Sequence, residues 1–181
     1  MDKICCVTGH RPQNFPWDYD NKLLAKIYLQ DIKELVIDSM RKGYNYFISG
    51  GAIGVDLDFA EAVLRAKKRR KDIKLEIAVP CRNQALKWSV EDKERYYRVL
   101  ESANTVTVLS EHYTRRCMQK RNEYMVDKSD YVIAVWNLRR SGGTYNTLTY
   151  AQKKGKKIIF HDLTMTVPAA EERFGKRLHS S

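Results

Sequence analysis

Short apolar runs alternate with longer segments of helical periodicity along almost the whole chain. Six of these runs are mostly continuous rather than alternating in polarity, which is typical of strands that are covered on both faces. They span residues 4–8, 46–49, 75–80, 105–109, 131–136 and 157–161. The pattern therefore predicts a buried, mainly parallel sheet of about six strands.

Apolar residues between these runs recur at the spacing of one helix face. They do so from Leu24 to Met40, and Gly43 follows as the expected stop. Five such helices are predicted, at about 24–40, 55–66, 88–102, 116–128 and 144–154. The alternation predicts an α/β fold: one doubly wound, Rossmann-like domain over residues 1–162, with helices on both faces. Residues 163–181 are polar and are predicted to form a C-terminal tail.

In a doubly wound fold, ligands bind beyond the carboxyl ends of the strands, near the point where the strand order reverses. The loop after the second strand carries Ser49, Gly50 and Gly51, and Asp56 follows in the next helix. Glycines let a ligand approach the backbone, and free N–H groups at a helix start favour an anion such as phosphate. Asp56 suits a ribose hydroxyl, a metal or the positive end of the helix dipole better than a bare phosphate.

A second glycine pair follows the fifth strand. Ser141, Gly142, Gly143 and Thr144 open the next helix, with two arginines just upstream. Thr144 also fits the N-cap of that helix, so this segment alone is weak evidence for a ligand. Two glycine loops at the ends of two strands of one sheet together predict a cradle for a nucleotide phosphate.

The first strand runs into Gly9, His10 and Arg11. Gly9 permits a tight exit from the strand, which brings His10 and Arg11 within reach of the same crevice. A purely structural role is the alternative for His10. No G-x-G-x-x-G follows this strand, and the chain has neither a P-loop motif nor a G-x-S-x-G elbow. These absences argue against NAD dehydrogenases, P-loop NTPases and α/β-hydrolases.

Four segments together resemble the YpsA-like branch of the SLOG superfamily. They are T-G-H-R-P at 8–12, S-G-G-A-I-G-V-D at 49–56, Arg121-Asn122, and S-G-G-T at 141–144. The resemblance extends over about residues 3–162 and implies a Rossmann-like domain that binds a nucleotide or a nucleotide-derived ligand. It also implies that Arg121 and Asn122 face the nucleotide crevice. There the arginine could pair with a phosphate and the asparagine could read a base edge or a ribose; a solvent-facing helix turn is the alternative. Arg82, after the third strand, is expected to border the same crevice.

The resemblance leaves open whether the chain is an enzyme. The related Lonely Guy enzymes release a base from nucleoside monophosphates and carry a glutamate in the motif P-G-G-x-G-T-x-x-E. Here the pair Gly142-Gly143 is followed by T-Y-N-T-L-T, which offers no carboxylate. Hydrolysis at this crevice would then depend on His10, Asp56 or Glu123 as the acid or base.

DprA-like relatives bind single-stranded DNA, and the composition agrees with that alternative. The chain carries 33 Lys and Arg against 22 Asp and Glu, a formal net charge of +11. A basic run at 65–71 and aromatic residues such as Trp88 and Tyr96 suit a nucleic acid. The same run falls at the end of the second predicted helix, where cations complement the helix dipole and are simply solvated.

The cysteines and histidines indicate no metal site. Cys5, Cys6, Cys81 and Cys117 include no C-x-x-C pair, and the four histidines lack ligand spacing. Cys5 and Cys6 are expected to be small buried residues on opposite faces of the first strand. No apolar run reaches the length of a signal peptide or a membrane span, so we expect a cytoplasmic protein. Sheets of this type often pair through helices, so a homodimer is considered as well.

These observations rank three functions. A module that holds a nucleotide-derived, ADP-ribose-like ligand, as a sensor or by sequestering it, accounts for both glycine loops. A hydrolase of nucleotides or N-glycosidic bonds at the same crevice comes second, and a single-stranded DNA-binding accessory protein third. No resident cofactor beyond the nucleotide-type ligand is indicated.

Overall fold

The predicted strands and helices all form, with boundaries that differ by at most two residues. The structure, a computed structural model, describes residues 1–174. Its strands are β1 (Ile4–Gly9), β2 (Tyr46–Ser49), β3 (Lys74–Val79), β4 (Thr105–Val108), β5 (Tyr131–Trp136) and β6 (Lys157–Asp162). Its α-helices are α1 (Lys22–Arg41), α2 (Val55–Lys67), α3 (Val90–Ser102), α4 (Cys117–Lys128), α5 (Gly142–Lys153) and α6 (Thr166–Phe174).

The described strands form one parallel sheet in the order β4-β3-β2-β1-β5-β6. The chain starts at β1, moves outward to β4, crosses back over the sheet and continues outward from β5 to β6. The order therefore reverses between β1 and β5, where a doubly wound sheet opens a crevice. Helices α1, α2 and α3 pack side by side on one face, and α4 packs against α5 on the other. The predicted Rossmann-like α/β fold is confirmed.

Alternating strand residues supply two hydrophobic cores, one on each face of the sheet. Cys5 belongs to the larger core, which also contains buried residues of α1, α2 and α3. Cys6 belongs to the smaller core with Met125 of α4 and Ala151 of α5. The expected placement of Cys5 and Cys6 on opposite faces is thus confirmed. All four cysteines are buried and free.

Side-chain caps define the start of two helices on the face of the sheet with the larger core. Asn21 accepts hydrogen bonds from the backbone N–H groups of Leu23 and Leu24, both at 3.1 Å, and so begins α1. Ser89 accepts the N–H of Asp92 at 3.1 Å and begins α3. Gly43, with a φ of 88°, follows the end of α1 in the left-handed region that glycine tolerates. None of the helices in residues 1–174 is long and apolar enough to cross a membrane.

The prediction of a polar tail from residue 163 is wrong for residues 163–174. Leu163 is fully buried, and Val167 and Ala170 of α6 join the larger core, where α6 packs against α1. The three apolar residues lie four and three positions apart, which is the spacing of one side of a helix. Three apolar positions among polar residues are too few to make this periodicity clear in the sequence. The rest of the predicted tail, residues 175–181, lies outside the described residues.

The buried position of Leu163 gives a direct test of this correction. We expect Leu163→Ala to lower the free energy of unfolding by about 2–5 kcal/mol, because it leaves a cavity in the core. The matched change Met165→Ala, two residues on at a side chain that is 57% exposed, is expected to cost less than about 0.5 kcal/mol. Urea denaturation of both variants measures the difference, and equal costs would mean that the segment is dispensable.

Candidate functional site: a cleft between β1 and β5

A cleft of about 330 Å³ opens at the carboxyl ends of β1 and β5, where the strand order reverses. Its walls are the turn after β1, the first turns of α2 and α5, one side of α4 and the loop after β5. We call it the β1–β5 cleft. It brings together ten of the predicted site residues: Gly9, His10, Arg11, Asp56, Arg121, Asn122, Ser141, Gly142, Gly143 and Thr144. Their contact with a ligand remains a prediction.

The exit from β1 is packed tightly against the start of α2. A side chain at Gly9 would overlap Val55, the first residue of α2. Gly54, with a φ of 96°, lies so close that a Cβ there would be 2.6 Å from the backbone oxygen of His10. That same oxygen accepts the N–H of Val55 at 3.2 Å. Two glycines therefore let α2 approach the turn that carries His10 into the cleft.

His10 is a buried imidazole on the wall of the cleft. It is 7% exposed, and its Nε2 has no hydrogen-bond partner within the described residues. Burial lowers the pKa of His10 below its usual value, and Asn137 beside it offsets part of that effect. The ring is therefore mostly neutral at pH 7, and its Nε2 is a donor or an acceptor that no described residue satisfies.

Arg121 and Asp56 form a buried ion pair at the base of the cleft. The Nη1 of Arg121 donates to Oδ2 of Asp56 at 3.1 Å, and each residue is 7% exposed. The same Oδ2 accepts the backbone N–H of Ala52 at 3.3 Å. Burial raises the pKa of Asp56, and the Arg121 guanidinium offsets part of that increase. Asp56 thus positions Arg121, whose Nε remains without a partner within the described residues.

The first glycine pair does not line the cleft, which corrects its interpretation as a phosphate cradle. Gly50 lies against the guanidinium of Arg121, and a Cβ there would overlap its Nη1. Ser49 Oγ donates to the backbone oxygen of Asp56 at 2.7 Å and accepts the N–H of Gly51 at 3.2 Å. Gly50 therefore forms the socket that receives the Arg121 guanidinium, and the hydrogen bonds of Ser49 hold the loop that carries Gly50.

The second glycine pair does open into the cleft. Gly142 and Gly143 begin α5, and a Cβ at either position would meet nothing within 4 Å. Ser141 is the N-cap residue and makes no side-chain capping bond. Thr144 is not the N-cap, because it lies inside the helix and is 5% exposed. The first N–H groups of α5 are thus left without a side-chain cap next to open space, as at an anion-binding helix start.

Two predicted residues lie elsewhere. Arg82 is exposed and pairs with Glu111 at 2.6 Å, because β3 is two strands away from β1, roughly 10 Å along the sheet. Glu123 accepts a hydrogen bond from Gln119 at 2.9 Å and does not line the cleft. It follows Arg121 by two residues, which places it on the other side of α4. Neither Arg82 nor Glu123 is therefore a cleft residue.

Several lining residues were not proposed as site residues from the sequence. Asn137 follows β5, and its Nδ2 donates to the backbone oxygen of Asn14 at 2.8 Å, which joins the two loops over the cleft. Arg139 lies in the same loop and adds a positive charge. Met118 lies three residues before Arg121 on the same side of α4. The strand-end rule and the helical repeat point to Asn137 and Met118, whereas no sequence signal marks Asn14.

The socket is tested by a double-mutant cycle. We expect Gly50→Ala to lower the free energy of unfolding by about 1–3 kcal/mol, because its methyl group displaces the Arg121 guanidinium. In an Arg121→Gln background, where the guanidinium is gone, the same change is expected to cost at least about 1 kcal/mol less. Chemical denaturation of the four proteins gives the coupling, and strictly additive costs would contradict the socket.

The lowered pKa of His10 predicts a pH dependence of stability. The unfolded chain takes up a proton as the pH falls below about 6.5, while His10 in the folded protein takes it up only at a lower pH, because burial lowers its pKa. The free energy of unfolding is therefore expected to fall in this range, by up to about 1.4 kcal/mol per pH unit. His10→Gln is expected to reduce this slope, whose remainder comes from His161, because burial lowers the pKa of that histidine as well. His112→Gln, at an exposed histidine, is expected to leave the slope unchanged. Equal slopes for both variants, measured by denaturation from pH 7 to 5.5, would contradict the neutral buried state.

Comparison with known proteins identifies the family. A family model described as the YspA SLOG family matches residues 5–167. The SPbeta prophage-derived protein YoqJ of Bacillus subtilis is 37% identical over 119 residues, 59% of this chain and 69% of YoqJ. The UPF0398 protein YpsA of Bacillus subtilis is 26% identical over 175 residues, 91% of this chain and 97% of YpsA. The UPF0398 protein BH1768 of Halalkalibacterium halodurans is 24% identical over 168 residues, 92% of this chain and 88% of BH1768. The resemblance found in the sequence is confirmed, and the chain belongs to the YpsA branch of the SLOG superfamily.

Proposed function

We propose that the protein binds a nucleotide or a nucleotide-derived, ADP-ribose-like ligand in the β1–β5 cleft and acts as a sensor or sequestering module. One observation carries the proposal: two buried polar groups, Arg121 Nε and His10 Nε2, have no hydrogen-bond partner within residues 1–174. A buried polar group without a partner costs about 1–3 kcal/mol, and more when the group is charged. A ligand with oxygen atoms in the cleft offsets that cost.

The charges on the cleft wall favour an anion. Arg11, Arg121 and Arg139 line the cleft, and Asp56 is the single carboxylate among the lining residues. Because Asp56 already pairs with Arg121, the wall retains a positive excess. The guanidinium of Arg121 is held in place by its socket, so a phosphate oxygen meets a preorganised donor.

The start of α5 provides the complementary backbone donors. The N–H groups of a first helical turn point toward the helix start and carry its positive partial charge. Gly142 and Gly143 present no side chain that would keep a phosphate away from this backbone. We assign one phosphate to this turn, while Arg121 faces the ligand from α4. Two such donors, one on α4 and one at the start of α5, suit a ligand with more than one phosphate, such as ADP-ribose.

Amide side chains on the rest of the wall suit the nucleoside. Asn122 and Asn137 line the cleft, and each amide group both donates and accepts hydrogen bonds. They match the mixed pattern of a base edge or a ribose better than that of a phosphate. Met118 and Met125 add an apolar contact for the flat face of a base.

Turnover of the ligand is the second candidate function, and His10 is the candidate catalytic residue for it. Glu123 lies outside the cleft, and Asp56 is engaged by Arg121. The neutral imidazole of His10, with one free nitrogen, is the remaining candidate for a general base within the cleft. A hydrolase would release a base or a phosphate and lose this activity in His10→Gln.

Gly143→Asp tests the proposed binding site. The position has open space for the new side chain, so the fold is expected to be retained, whereas a carboxylate repels a phosphate at the start of α5. The unmodified protein is expected to gain about 2.7 kcal/mol of stability at a ligand concentration of 100 times Kd, measured as a thermal shift with AMP, NAD and ADP-ribose. Gly143→Asp is expected to show no such shift.

The control is Gln152→Asp, which adds the same charge at an exposed position near the end of α5. It is expected to bind as the unmodified protein does. Equal thermal shifts for Gly143→Asp and Gln152→Asp would contradict the cleft as the binding site. Mass spectrometry of the same mixtures over time distinguishes a bound ligand from one that loses its base or a phosphate.

A further inference from the structure

The basic run of residues 65–71 borders a second concave surface. A groove of about 530 Å³ lies between the last turns of α1 and α2. We call it the α1–α2 groove. Because α1 and α2 run antiparallel to the strands they connect, the groove is at the amino ends of the strands, the edge of the sheet opposite the β1–β5 cleft. Its floor is aliphatic: Val36, Ile37 and Met40 of α1, and Ala62 and Ala66 of α2.

The rim of this groove is cationic and largely unpaired. Five basic residues line it: Lys33, Arg65, Lys68, Arg69 and Arg70. Arg70 pairs with Asp72, while the other four form no ion pair within residues 1–174. Within the described part of the chain, no acidic side chain lines the groove. Like charges this close repel one another, so an anionic occupant is favoured at this surface.

The apolar stripe continues along α1 beyond the groove itself. Leu29 lies one turn before Lys33 on the same side of the helix and is 38% exposed. The stripe from Leu29 to Met40 is about 16 Å long at 1.5 Å per residue. That length matches three turns of a helix laid along it, with apolar residues at every third or fourth position.

We propose that the α1–α2 groove binds an acidic amphipathic helix of a partner protein. The aliphatic floor takes leucine- or phenylalanine-type side chains, and the rim on both helices pairs with glutamate and aspartate on the flanks of the segment. Charge complementarity also disfavours a second copy of this chain as the occupant, because its formal net charge is +11.

The groove fits this occupant better than a single-stranded nucleic acid. Proteins that bind single strands combine cations with aromatic rings on which bases stack. Among the residues whose side chains the structure describes, none that lines the groove is aromatic. A phosphate backbone would pair with the rim but leave the aliphatic floor exposed to water. An acidic helix with one apolar side satisfies both the rim and the floor.

A synthetic peptide tests the proposal directly. The probe is a fluorescent 14-residue helix with leucine at every third or fourth position and glutamate elsewhere, and fluorescence anisotropy measures its binding to the full chain. The comparison probes are a peptide with serine in place of leucine and a 14-nucleotide oligothymidine. We expect the acidic leucine peptide to bind, the serine peptide to bind about tenfold more weakly, and added salt to weaken the complex.

Variants on the groove assign the site. Lys33→Glu with Lys68→Glu reverses one cation on each helix and is expected to weaken peptide binding by about tenfold or more. Ile37→Gln removes part of the floor without changing the charge and is expected to weaken it as well. The matched control, Lys153→Glu with Lys157→Glu, makes the same charge change away from the groove and is expected to bind normally. All variants are expected to retain a cooperative thermal unfolding transition.

Three results would overturn the proposal. In the first, the acidic peptide does not bind the unmodified protein. In the second, the peptide binds the rim variant as tightly as it binds the control variant. In the third result, oligothymidine binds more tightly than the peptide and the rim variant abolishes that binding, which assigns the surface to nucleic acid. A cooperative thermal unfolding transition in the rim variant excludes misfolding as the cause of a loss.

Discussion

The buried ion pair between Arg121 and Asp56 is the interaction on which the cleft depends. Two charges that leave water are stabilised only when their geometry is good and further hydrogen bonds are made. Here Ala52 donates to the carboxylate, and Gly50 leaves the space that the guanidinium occupies. The pair connects α4 on one face of the sheet to α2 on the other, across the carboxyl ends of the strands. One motif at the end of β2 therefore fixes an α4 side chain that lines the cleft.

The reversal of strand order explains why the remaining cleft residues come from distant parts of the sequence. β1 and β5 are neighbours in the sheet, so the loops after Gly9 and Trp136 open onto the same crevice. No helix fills that crevice, because the chain crosses from one half of the sheet to the other through α4. The Asn137–Asn14 hydrogen bond then joins the two loops. Backbone topology thus creates the cleft, and Gly9 and Gly54 let α2 pack closely against the turn that carries His10.

Most of the fold could be predicted from the sequence, because strands buried on both faces and one-sided helices leave clear periodicity. The prediction failed at α6, where the apolar stripe has three residues, and at positions that depend on tertiary distance. The partner of Gly50 is 71 residues away in sequence, so no local pattern reveals that it accommodates Arg121 rather than a phosphate. Arg82 follows the general rule for strand ends, yet it lies too far along the sheet to reach the cleft. The error at Glu123 could have been avoided from the sequence. The helical repeat that places Arg121 and Asn122 on one side of α4 places Glu123 on the other side.

Helix α2 shows how one local rule contributes to two surfaces. Its first turn carries Asp56 and Asp58, and its last turn carries Arg65 and Lys67, an arrangement that complements the helix dipole. A dipole argument alone explains these charges without any ligand. In the folded protein, however, Asp56 is withdrawn from solvent to hold Arg121, while Arg65 remains exposed on the rim of an aliphatic groove. The same helix therefore supplies a buried anion at the cleft and an exposed cation at the opposite edge. The same residues stabilise the helix and form part of the two surfaces. The explanation from the helix dipole and the functional explanation are therefore compatible.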